Sequence, residues 1–125
     1  VDIDLEVLLV TPCLLAAGLP PHRLSIGSSR HMYWTVAQLV THHASNGCNL
    51  RPGDLFGSGT ISAPTADGLG SLLEITEGGK QPIALASGHT RTFLEDGDEV
   101  IMRGACERDG FRRIGLGECR GLVTS

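Results

Sequence analysis

The sequence predicts a mainly β, mostly antiparallel fold with one principal α-helix, and three observations carry that expectation. Apolar residues alternate with acids in the opening "VDIDLEVLLV", the period of two that a strand with one wet face requires. The chain holds 17 glycines, several in dipeptides suited to reversing a strand, such as Gly78-Gly79 and Asp109-Gly110. One segment, residues 30–44, keeps its apolar positions at helical spacing. With 125 residues, residues 1–125 form a single unit with one core.

Along residues 2–10, Ile3, Leu5, Val7 and Leu9 fall on one side and Asp2, Asp4 and Glu6 on the other. Leu8 and Val10 break the alternation, which predicts burial on both sides at the far end. The three acids read as a solvated strand face or as ligands for a hard metal. Such metals draw oxygens from several segments, which favours the solvated face. Residues 11–22, "TPCLLAAGLPPH", predict a connection, with a short strand near residues 23–26. Ser28 or Ser29 then caps a helix over about residues 30–44, with Met32, Trp34, Val36, Leu39, Val40 and His43 as its apolar stripe. Asn46-Gly47 ends the helix and Pro52 bars its continuation.

The second half reads as nearly all β. Strands are expected at residues 54–56 and 71–77, with Gly78-Gly79 as a hairpin loop into residues 80–85. Further strands cover residues 99–107 and 113–123, joined through Asp109-Gly110. The expected sum is the one helix packed on an antiparallel, glycine-rich sheet.

Composition excludes several function classes. A hydrophobic share of 41% and a charged share of 19% are those of an ordinary globular protein. The net charge of −4 supplies no basic face for nucleic acid, and membrane binding is equally unsupported. No apolar run approaches the roughly 20 residues that span a bilayer, and no signal peptide is visible. Cys13, Cys48, Cys106 and Cys119 form no C-x-x-C pair, so they read as free thiols of a cytoplasmic protein. The chain opens in full strand alternation without a methionine, and it reads as part of something longer.

Candidate chemistry is sparse. His42 and His43 lie about 100° apart on the expected helix and cannot face one metal; a zinc helix wants i and i+4. His43 reads as a partly buried structural residue and His42 as exposed. "GDLFGSGT" lacks the lysine and helix start of a phosphate loop. Its Gly57 and Gly59 nevertheless let backbone approach a ligand closely, and Thr60 adds a hydroxyl. In "GSLLEITEGGKQPI", strand alternation puts Leu72, Glu74 and Thr76 on one face. Glu74 is then either a sheet-edge carboxylate or a pocket-wall carboxylate that orients a histidine from elsewhere. The pattern leaves both open.

The segments "MYWTVAQLVTHHASNGCNLRPGDLFGSGTIS", "GSLLEIT", "FLEDGDEVIMRG" and "RRIGLGECRG" together resemble the C-terminal part of the catalytic domain of the fumarylacetoacetase family, over roughly residues 28–121. The resemblance implies part of a mixed β-sandwich roll and a hydrolase acting on a carbon–carbon bond. The substrate would be the small diketo acid 4-fumarylacetoacetate, split to fumarate and acetoacetate in tyrosine and phenylalanine catabolism. It further implies a cytoplasmic homodimer in which Mg²⁺ or Ca²⁺ holds the diketone oxygens. A histidine would act as base and a glutamate would orient it.

Two residues carry over: Glu74 as the histidine-orienting catalytic glutamate of "GSxLE", and Thr60 as the substrate-contacting threonine of "GTIS". No metal ligand carries over. The base, the metal-binding acids and the leaving-group residues lie upstream in the family, so this chain alone is expected to be inactive and to bind no metal. Ser29 and His31 stand where the family usually has aromatics, Ala63 where it has glycine, and Glu77 where a tryptophan is common. A truncated non-catalytic remnant, a dimerisation scaffold, and an acylpyruvate or other diketone hydrolase of the same superfamily are the alternatives. "GTIS", "GSLLE" and "GLGECRG" favour the fumarylacetoacetase pattern over the last of these.

Overall fold

The structure is a computed structural model that describes residues 2–125. Its frame is a four-stranded antiparallel sheet in the order β2-β1-β5-β6. The strands are β1 (Asp4–Val10), β2 (His22–Ser28), β5 (Glu99–Cys106) and β6 (Ile114–Leu122). The smaller strands β3 (Ile83–Ala84) and β4 (Thr90–Arg91) form a separate two-stranded ribbon. The mainly β, mostly antiparallel class expected from the sequence is what the chain adopts.

Register follows side-chain chemistry. Leu8 pairs with Ile101 and Glu6 with Arg103 across β1 and β5, so one face of the sheet changes from apolar to ionic along its length. Leu8, Val10 and Ile101 cluster in the core, and Leu9 on the opposite face is fully buried. The far end of β1 is therefore covered on both sides, as the broken alternation predicts. Fully burying one such leucine or isoleucine contributes about 1.5–3 kcal/mol. On the same face Arg103 meets Glu6 at 3.4 Å and Glu118 at 2.6 Å, and Arg120, opposite Ile101, meets Glu118 at 3.0 Å and Glu99 at 3.4 Å. Asp2, another of the acids of the opening segment, bonds Ser28 and pairs with Arg30.

Just before β5, Asp98 is fully buried. Arg91 reaches it with Nε at 2.9 Å and a terminal nitrogen at 3.2 Å, and the Glu95 N–H donates to it at 2.9 Å. This two-pronged contact fastens β4 to the entrance of β5. The Asp98 carbonyl also accepts from the Val123 N–H at 2.8 Å, which holds the end of the chain there.

Several expected elements are corrected. The connection after β1 contains a short helix, α1 (Pro12–Ala16), capped by the Thr11 hydroxyl with proline in its first turn. Five residues are too few for periodicity to register. The principal helix, α2, spans Val36–Ser45 and starts later than expected, because Ser28 caps only a turn of 3-10 helix at Ser29–His31. The working cap is Thr35, which forms a full capping box with Gln38. No residue of α2 is buried, so its apolar stripe is not packed on the sheet. His43 is exposed rather than partly buried, and its ring meets Phe56 edge-on at 4.9 Å.

Residues 54–56 are not a strand. The largest correction lies at residues 71–77, where the expected strand is instead a one-turn helix, α3 (Leu72–Ile75). Gly78-Gly79 therefore follows a helix and does not close a hairpin; the partner of β3 is β4. Asp109-Gly110 does sit between the paired strands β5 and β6.

Candidate active site

Helix α3 is defined by its two ends. Ser71 caps its start, accepting the Glu74 N–H at 3.3 Å. At its other end the Gly78 N–H reaches back to the Leu73 carbonyl at 2.8 Å and the Glu77 N–H to the Glu74 carbonyl at 3.1 Å. That paired pattern is a Schellman ending, which needs a left-handed residue between helix and exit. Glu77 fills the place with φ of 49°, a conformation in which only glycine is at ease. The helix is thus a fixed single turn, and it presents Glu74 from its first turn rather than from a pleated face.

The segment before α3 folds back on itself. The Ala63 N–H donates to the Gly68 carbonyl at 2.7 Å, and the Gly70 N–H donates to Ser62 Oγ at 3.1 Å. Two glycines permit this closure. A Cβ at Gly68 would lie 2.4 Å from that of Ala63, and one at Gly70 would lie 2.3 Å from the Ile61 carbonyl oxygen and 2.7 Å from Thr60 Cγ2. Such separations are below any ordinary contact, so the two chain segments pass at backbone distance.

The closure brings Thr60 and Glu74, 14 residues apart in sequence, to the wall of one cavity of about 580 Å³. Tyr33 and Trp34, edge-to-face at 4.8 Å, supply aromatic surface to the same cavity, and His31 also lines it. Among the described residues no hydrogen bond joins a histidine to Glu74. His31 therefore has no observed claim to the role of base.

Glu74 is exposed, yet its carboxylate is held by several donors. Ser71 Oγ approaches Oε2 at 2.7 Å, and Ser62 Oγ approaches both oxygens at 2.9 Å. The Ser71 hydroxyl first, then that of Ser62, hold the carboxyl below the usual glutamate range, with backbone N–H groups adding to them. The ionised form is the one these donors stabilise. The group is thus a fixed anion, able to accept a proton-bearing partner at neutral pH.

Sequence reasoning named Thr60 and Glu74 and missed Ser62, Ser71 and the aromatic pair. Ser71 had a signal: Ser71-x-x-Glu74 has the spacing of a capping box. Ser62 had none, because its partner is 12 residues away.

Among the described residues no three histidine, cysteine, aspartate or glutamate side chains converge to hold a metal ion. The cavity's one carboxylate and its hydroxyls do not make the oxygen set that Mg²⁺ or Ca²⁺ requires, so the described residues lining this cavity do not by themselves fit such an ion.

Residues 21–124 match the family model described as fumarylacetoacetate (FAA) hydrolase C-terminal. This chain belongs to the fumarylacetoacetate hydrolase family. It is 57% identical to human fumarylacetoacetase over 94 residues, which is 75% of this chain and 22% of that protein. With the Arabidopsis thaliana fumarylacetoacetase it shares 52% over 95 residues, 76% of this chain and 22% of the relative. The Dictyostelium discoideum fumarylacetoacetase is 41% identical over 124 residues, 98% of this chain and 28% of the relative. The chain thus spans between about a fifth and three-tenths of the length of these relatives. Membership of a hydrolase family follows from the match.

Proposed function

We propose that this chain forms one wall of a fumarylacetoacetase active site, acting in hydrolysis of the carbon–carbon bond of 4-fumarylacetoacetate to fumarate and acetoacetate. The observation that carries the reading is the convergence of Thr60 and the hydroxyl-held Glu74 carboxylate on one cavity. In this reading the Thr60 hydroxyl donates to a carbonyl or carboxylate oxygen of the diketo acid. Glu74 accepts the N–H of a histidine supplied from outside this chain, which fixes that ring's tautomer and leaves its other nitrogen free to take a proton from water. The carboxylate also favours the imidazolium formed as that proton moves.

Tyr33 and Trp34 give the flat, conjugated substrate an apolar surface beside its polar ends. The Mg²⁺ or Ca²⁺, like the base, belongs to residues this chain does not supply. A cytoplasmic homodimer in tyrosine catabolism completes the same reading.

The test uses a full-length protein containing this segment. Glu74→Ala is expected to lower kcat by roughly 100-fold, the scale of a lost contribution to general-base catalysis. An effect below threefold would leave Glu74 as a structural carboxylate that only receives the Ser62 and Ser71 hydroxyls. The 125-residue chain alone is expected to leave the ultraviolet absorbance of the diketone unchanged.

A further inference from the structure

We propose that Ser62 is the positioning residue of this site: its hydroxyl straddles the Glu74 carboxylate and ties it to the wall that carries Thr60. The geometry fixes the direction of its proton. Ser62 Oγ accepts the Gly70 N–H at 3.1 Å, so an acceptor site on the oxygen is filled and its own proton is turned towards Glu74, 2.9 Å from each oxygen. Ser71 is steered in the same way, since it accepts the Glu74 N–H at 3.3 Å and donates only to Oε2 at 2.7 Å. Oε2 therefore receives two hydroxyl donors. Oε1 receives one, shared.

The two serines differ in what they tie together. Ser71 caps the helix that carries Glu74, so it would be needed whatever residue stood there. Ser62 lies two residues from Thr60 and belongs to the other wall, so its bond sets the distance between the substrate-binding hydroxyl and the carboxylate. Gly70 makes the bond possible: a Cβ there would sit 2.3 Å from the Ile61 carbonyl oxygen and force apart the segments that Ser62 joins.

The geometric claim stands on this chain alone, and its catalytic consequence rests on the function proposed above. The experiment follows the Glu74 side-chain carboxyl carbon by NMR titration in the 125-residue chain, with Glu118 as the internal reference for an intact sheet. Ser62→Ala and Ser62→Cys are expected to raise the Glu74 midpoint towards that of an ordinary glutamate and leave Glu118 unmoved. Ser62→Thr, which keeps a hydroxyl, restores the low midpoint. The cysteine variant, nearly isosteric but a weak donor, decides the matter if the alanine variant does not fold.

An unmoved Glu74 midpoint in a folded alanine or cysteine variant overturns the proposal, as does a threonine variant that behaves like alanine. In the full-length protein, Ser62→Ala is expected to lower kcat roughly tenfold, the scale of one hydrogen bond to a charged group, and to shift the acid limb of the rate profile upwards. A raised midpoint together with full activity of Glu74→Ala would refute the proposed function and leave the positioning role of Ser62 intact.

Discussion

On the sheet's ionic face Glu118 lies between two guanidiniums, whereas at the corner before α3 Glu74 lies between two hydroxyls. Both carboxyls are exposed or nearly so, and both are held below the usual glutamate range. For Glu118 the cause is first the hydrogen bond from Arg103 and then that from Arg120, with their charges adding to it. For Glu74 the causes are neutral hydroxyl and backbone donors. The distinction bears on function. An anion whose charge is already balanced has little attraction left for a third cation, while one held by neutral dipoles keeps its field for an incoming imidazolium. A low pKa by itself does not tell the two arrangements apart; the identity of the donors does.

The contrast is most severely tested from the sheet side. Asp98 is buried where Glu118 is not, so removing the carboxylate from the arginine-held arrangement costs most there. Asp98→Ala takes two bonds from the Arg91 guanidinium, leaving it the exposed Glu95 carboxylate and the Thr90 carbonyl, and is expected to cost about 3 kcal/mol in urea unfolding. A cost under about 1 kcal/mol would show that these ion pairs hold little of the sheet together.

At the corner the corresponding test is Gly70→Ala, which forces a methyl group onto the Ile61 carbonyl and Thr60. It is expected to destabilise by about 1–3 kcal/mol, read by thermal melting, and to perturb the Glu74 resonance. An unperturbed resonance would mean that the two walls are not coupled through Gly70.

A smaller effect of opposite sign is expected at Glu77, the left-handed residue that ends α3. Glu77→Gly removes the Cβ conflict and should raise stability by about 1 kcal/mol. A loss of stability would mean that the Glu77 side chain contributes more than its backbone costs.

The gentlest perturbation separates the two carboxylates most directly. In about 1 M salt the screening length falls to roughly 3 Å, so the Glu118 midpoint should rise and the Glu74 midpoint should stay nearly fixed. The sign follows from linkage: both folded-state pKa values are depressed, so each group's stabilisation is present above the unfolded pKa and is lost as pH falls through the folded one. Salt should therefore erode the acid-side stabilisation that comes from Glu118 and spare that from Glu74. Equal movement of both midpoints would abolish the distinction between them.

Much of the sheet is legible in the sequence because its signals are local. The alternation in residues 2–10 and the turn at Asp109-Gly110 each lie within a few residues, and strands β1, β5 and β6 appear within two residues of their expected bounds. Helix α3 escapes such a reading because Leu72, Leu73, Glu74 and Ile75 fit a short strand as well as a single helical turn, and four residues hold too little period to choose. What favours helix is present only at its ends, in the Ser71-x-x-Glu74 spacing and in the left-handed exit.

The order of residues alone was enough for the fold class and for the family, and it singled out Thr60 and Glu74 as candidates. That these two residues share one cavity, and that Glu74 is presented by a helical turn, emerged only from the folded chain. The folded chain also revealed Ser62 and Gly70 as the joint between the walls. The physical reason is that hydroxyl-to-carboxylate contacts and backbone close approaches act through space across a folded loop. Periodicity and propensity report only what neighbouring residues prefer along the chain.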